Sequence, residues 1–174
     1  MKSDGARGEK TAAAKGQKYK IVAVGGTFDI LHAGHEKLLA LAFQLGSKVL
    51  IGMTSDRLVS RMRKSHPVKP FPERLRQLTL FLRSKGWNHR AKIVKLEDPL
   101  GPAVSRKRLD AIIVSSETRS NASEINRLRK RSGLRSLRVH AIRLLKAEDG
   151  RRISDTRIRK GQIDAAGGRR TKTI

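Results

Sequence analysis

"YKIVAVGGTFDILHAGHEKLLALAFQLGSKVLIGMT", residues 19–54, joins two short β-branched runs through a stretch of helical period. Strand, crossover helix, strand is the unit from which parallel sheets are built. "YKIVAVGG" (19–26) and "KVLIGMT" (48–54) read as the strands. Between them "GHEKLLALAFQLGS" (34–47) sets Leu38, Leu41, Ala42 and Leu45 on one face, with Gly46 placed as the residue that ends the helix.

The same alternation continues outward. "AKIVKLE" (91–97), "DAIIVS" (110–115) and "SLRVHAIRLL" (136–145) complete five strands. The helix before the third strand has Pro72 in its first turn, Glu73 at its positive end, a stripe of Leu75, Leu78 and Leu82, and Gly86 as its stop, with a solvated Arg-rich face opposite. "GPAVSRKR" (101–108) is a weak helix candidate, "NASEINRLRKRSG" (121–133) a stronger one, and a last helix starts at Ser154. The fold class is α/β, a Rossmann-like doubly wound five-stranded parallel sheet. Residues 19–164 form one domain, between a disordered basic arm (1–18) and a flexible basic tail (165–174).

Forty Lys and Arg against fifteen Asp and Glu give a net charge of +25, so anionic partners are expected: nucleotides, phosphorylated metabolites, nucleic acid or acidic membrane. The arm and tail account for +4 and +3, which leaves +18 on the body. No cysteine is present, which excludes disulfides, thiol nucleophiles and thiolate zinc sites and suits a reducing, cytoplasmic setting. No stretch reads as a signal peptide or a membrane span.

In a doubly wound sheet the ligand sits beyond the carboxyl ends of the strands at the topological switch, where Gly25 to His35 fall. Gly25 and Gly26 permit close approach of backbone to a phosphate, Thr27 offers a hydroxyl and an amide, and the following helix aims free N–H groups and its dipole at the same point. His32 and His35, three apart across a helix start, present two imidazoles to one ligand as donors to a phosphate. Metal is not expected on this pair, because no carboxylate-rich partner motif accompanies it. A second anion site is "ISDTRIRKG" (153–161), where Ser154 caps a helix and Arg157 projects from its first turn. Two such sites match the needs of a nucleoside triphosphate.

"GGTFDILHAGH" with "ISDTRIR" resembles the T/HxGH nucleotidylyltransferases, which join a nucleotide to a phosphorylated substrate and release pyrophosphate. "EDPLGPA", "IIVSSET", "INRLRKRSGL" and "KAEDGRRISDTRIRKGQID" extend the resemblance to the archaeal and eukaryotic type of phosphopantetheine adenylyltransferase, over nearly all of residues 19–164. The resemblance implies ATP, with Mg²⁺, and 4′-phosphopantetheine as substrates. It implies that Gly25, Gly26, Thr27 and Phe28 lie at the nucleotide, with Thr27 orienting the phosphates. His32 and His35 would bind the triphosphate and stabilise the transition state. Lys69, with Lys64 as a competitor, would bridge nucleophile and α-phosphate, and Arg119 would hold a phosphate or line the nucleotide site. Ser154, Thr156 and Arg157 would contact the β- and γ-phosphates. Asp155 departs from the usual Ile-Ser-Ser-Thr. An acid near phosphates is costly unless it points away or meets a cation, so Asp155 is not expected as a phosphate ligand.

Other enzymes of this superfamily use the same motifs, including cytidylyltransferases and the nicotinamide-mononucleotide and flavin adenylyltransferases. Cytidylyltransferases usually carry a Gly before the Ile-Ser pair, and "GRRISDT" lacks it. From a different class, +25 and the Arg-rich "NRLRKRSGLRSLR" suggest a nucleic-acid-binding module, but 3% aromatic residues supply few stacking platforms, so nucleic acid is expected as at most an incidental partner.

Overall fold

The computed structural model describes residues 17–62 and 66–169. Lys64 and nearly all of the expected N-terminal arm lie outside the described residues. The chain runs β1 (Tyr19–Gly26), α1 (Ala33–Leu45), β2 (Gly46–Thr54), α2 (Asp56–Arg61), α3 (Phe71–Ser84), β3 (Ala91–Leu96), β4 (Ala111–Ser115), α4 (Arg119–Arg131), β5 (Arg138–Ile142) and α5 (Asp155–Arg159). All five strands are parallel, in the order β3-β2-β1-β4-β5.

Both faces of such a sheet must be covered, and the strand residues alternate accordingly. Val22, Val24, Val49, Ile51, Met53 and Ile113 meet α1 and α3, whereas Ala23, Ile112 and Val114 meet α4 and the 100–109 segment. Register keeps like with like: Val24 pairs with Ile51 on one side and Ile113 on the other. Fully buried Leu39 and Leu78 each contribute about 1.5–3 kcal/mol by leaving water.

Four local expectations are corrected. The buried face of α1 is Leu38, Leu39, Ala42 and Phe43, with Leu41 and Leu45 only partly covered, because Phe43 stacks on Trp87 at 4.6 Å. Gly46 does not take a left-handed turn. It enters β2 directly at φ −109°, and a Cβ there would stand 2.7 Å from Val22 Cγ2, so close packing explains the glycine. The Arg-rich face of α3 is not wholly solvated, since Arg74 is fully buried. The 101–108 segment forms only a 3₁₀ turn over Gly101–Ala103.

The chain's end also differs from its tail-like composition. The Asp164 carboxylate accepts N–H groups from Ala166, Gly167 and Gly168 at 2.8–2.9 Å, and Ile163 bridges to Arg169. Ala165 O accepts the Ala33 N–H at 2.9 Å, which ties residues 165–169 to the start of α1.

Candidate active site

The β1–β4 ladder stops at Val24 and Ile113, while β1 stays paired to β2 through Gly26. The two strands therefore part at the topological switch, and a cavity of about 360 Å³ opens there. Gly25, Gly26, His32, His35, Ser154 and Thr156, all expected at the site, line it.

The histidines are set by the first turn of α1. His32 is its N-cap, and Nδ1 accepts the N–H groups of Gly34 at 3.1 Å and His35 at 3.4 Å. A Cβ on Gly34 would lie 2.9 Å from the His32 ring, so glycine between the histidines is what lets the imidazole fold back over the helix end. A nitrogen that accepts carries no proton, so neutral His32 is protonated at Nε2. His35 is the opposite tautomer: Nδ1 donates to Ile30 O at 3.1 Å, and Nε2 becomes a donor only in the imidazolium. The rings stack at 4.0 Å, and Phe28 lies 5.1 Å from His35.

This geometry changes the expected role of the helix. Its first amides do not point unpaired at a ligand: they are taken by His32 Nδ1, His32 O and Ala165 O. The group offered to an anion is instead His32 Nε2–H, with the dipole behind it. Burial, and then the neighbouring His35, lower the His32 pKa from 6.5 to about 4 against the opposing pull of Asp155, so the ring is neutral at pH 7.

Asp155 does not point away. Its Oδ1 lies 3.4 Å from His32 Nε2, its side chain is 11% exposed, and it lines the cavity. The carboxylate missing from the sequence neighbourhood of the histidine pair is thus supplied by α5, and ligand atoms of His32, His35 and Asp155 lie within 4.8 Å of one another.

Residues 23–161 match the cytidylyltransferase-like family. The chain is 42% identical over 151 residues to the phosphopantetheine adenylyltransferase of Methanothermobacter thermautotrophicus, covering 87% of this chain and 90% of that one. The chain belongs to the phosphopantetheine adenylyltransferase family. The family member from Methanopyrus kandleri is 44% identical over 147 residues, covering 84% and 92%. A crystal structure of an Archaeoglobus fulgidus protein of unknown function is 35% identical with a TM-score of 0.63, covering 70% of this chain and 87% of that one. A lipopolysaccharide core biosynthesis protein from Thermoplasma volcanium, 21% identical with a TM-score of 0.57 and covering 71% and 95%, shares the fold.

Some residues that the family resemblance implied are not brought to this cavity. Phe28 is fully buried at φ +51° and serves the core beneath His35. Thr27 gives its carbonyl to Arg74 at 2.9 Å and lines a neighbouring cavity. Lys69 Nζ pairs with Glu73 at 3.3 Å, and Arg119 is exposed at the start of α4. Arg157 turns to Asp149 and to Arg152 O, away from the cavity. The arginine of that motif that reaches the first one is Arg159, bonded to the fully buried Asp29.

Sequence reasoning missed Asp29, Arg159, Arg74 and His66. The side chain from the 66–70 loop that reaches the cavity wall is His66, with Nδ1 3.0 Å from Pro67 O and 3.9 Å from Asp29. Arg74 donates to Thr27 O, Thr54 O and Lys69 O and pairs with Asp56 at 2.8 Å, tying the ends of β1 and β2 to that loop. Asp29 carried one available signal: an acid inside an otherwise apolar "TFDIL" requires a buried cationic partner.

Proposed function

We propose that this protein transfers AMP from ATP to 4′-phosphopantetheine, yielding dephospho-coenzyme A and pyrophosphate, within the cytoplasm. The observation that carries this reading is the pair of oppositely fixed imidazoles at the β1–β4 switch, in a chain of this family. Neutral His32 donates from Nε2 to a triphosphate oxygen. His35, which takes up a proton as the triphosphate arrives, donates from Nε2 as well, and the two positions stabilise charge that grows as the α–β bond breaks. The acceptor's phosphate oxygen attacks the α-phosphorus directly, and pyrophosphate leaves.

A second cavity, of about 340 Å³, meets the first at Gly25, Gly26, Glu117 and Thr118. Leu50, Leu58, Leu96, Leu100, Ile112 and Ile125 make it apolar. An acceptor with a phosphate at one end and a long uncharged arm suits this pair of cavities: the phosphate lies at the shared glycines and the arm runs against the leucines. Magnesium would accompany ATP. Asp155 supplies the hard oxygen donor such an ion takes, whereas His32 cannot coordinate through a protonated Nε2.

Thermal shift tests the nucleotide half of this reading. ATP with Mg²⁺ raises the melting temperature well above the effect of CTP or GTP, because a ligand of the native state stabilises it by mass action. Equal stabilisation by CTP overturns the assignment to adenylyl transfer.

A further inference from the structure

We infer that Asp155 makes this protein select the magnesium complex of ATP over free ATP, with the cation held between its carboxylate and the phosphates. The inference rests on the ATP-binding reading above and adds the chemical form of the nucleotide that the site accepts.

Two carboxylates line the cavity, Asp155 and Glu117, and Glu117 is ion-paired with Arg152. Asp155 instead faces His32 Nε2 from 3.4 Å, with its side chain 11% exposed. A phosphate that accepts the proton of His32 Nε2 therefore sits within a few ångströms of a poorly solvated carboxylate. Like charges about 4 Å apart in such a setting weaken binding by roughly 10²- to 10³-fold if nothing intervenes.

A divalent cation removes that penalty and reverses its sign. The donors define which kind. His32 spends its Nδ1 lone pair on two backbone amides, which leaves a protonated Nε2 that cannot coordinate a metal, so the cluster is not a ready two-histidine site for zinc. What remains is one carboxylate, the nucleotide's own oxygens and water, the set that magnesium favours.

The charge of the whole molecule sharpens the test. A protein of net charge +25 with imidazole donors should prefer the more anionic free ATP to its magnesium complex. A preference in the opposite order requires a local negative group at the phosphates.

Calorimetric titration of the full-length protein with ATP, in excess Mg²⁺ or in EDTA at matched ionic strength, reads this directly. The wild type is expected to bind the magnesium complex about tenfold or more tightly than free ATP. Asp155→Asn, nearly isosteric, and Asp155→Ser should both lose that preference and bind free ATP at least as tightly as its complex. Equal wild-type affinity with and without Mg²⁺, or an unchanged preference in both variants, overturns the inference while leaving the ATP site standing. Failure of the wild type to bind ATP in either buffer overturns the ATP-binding reading itself, and the inference with it.

Discussion

Asp29 and Arg159, 130 residues apart in sequence, form a two-pronged ion pair, with Arg159 Nη2 2.8 Å and Nε 3.1 Å from Asp29 Oδ2. The other carboxylate oxygen accepts the Lys69 N–H at 2.9 Å. One buried side chain thus fixes the loop after β1, the entry to α3 and the short helix α5 relative to one another. Arg159→Met leaves that carboxylate buried without its cation, which costs on the order of 3–5 kcal/mol. Chemical denaturation should show this as a lower midpoint, with a smaller loss for Asp29→Asn. A midpoint unchanged in Arg159→Met would contradict the structural role.

Removing one preorganised donor tests the histidine pair. His35→Ala should lower turnover by about 10²-fold or more while the far-UV spectrum and thermal midpoint stay close to wild type. Turnover within a fewfold of wild type would remove His35 from the chemistry.

Acid sensitivity follows from His32, whose pKa burial and His35 lower from 6.5 to about 4. Between those values the unfolded chain binds more protons than the native one, so this contribution to stability is complete above pH 6.5 and lost as pH falls toward 4. His32→Asn keeps a capping side chain and should flatten the pH dependence of the denaturation midpoint over that window. An identical slope in wild type and variant would contradict the assignment.

Much of the fold was legible because the β-branched runs and helical stripes that make it are local. All five strands lie where alternation and flanking turns put them, and Gly86 and Gly133 do stop α3 and α4, at φ +68° in each case. The candidate site was legible where it is contiguous: Gly25, Gly26, His32 and His35 share one turn. It was not legible where it depends on which of several charges in a short helix points inward. Asp155, Arg157 and Arg159 occupy five residues of α5, and only the packed structure decides that the first faces His32, the second Asp149 and the third Asp29. The order and anchoring of residues 165–169 were hidden for a related reason, since small and polar residues carry no periodic signal and Asp164 organises them through backbone amides.

That anchoring is testable. Ending the chain after Asp164 removes the Ala165 carbonyl from the Ala33 amide and the Gly167 packing against Ile153, whereas ending it after Arg169 keeps both. The shorter form should melt at a lower temperature and turn over more slowly, by weakening the first turn of α1 that carries the histidines. Equal melting and turnover in the two truncations would contradict a structural role for residues 165–169.

Pyrophosphate release from ATP and Mg²⁺, with each acceptor offered separately, tests the central claim most directly. 4′-Phosphopantetheine should support rapid release and form dephospho-coenzyme A, while nicotinamide mononucleotide, flavin mononucleotide and glycerol phosphate give background rates. Release with one of those three acceptors and none with 4′-phosphopantetheine, or activity only when CTP replaces ATP, would contradict it.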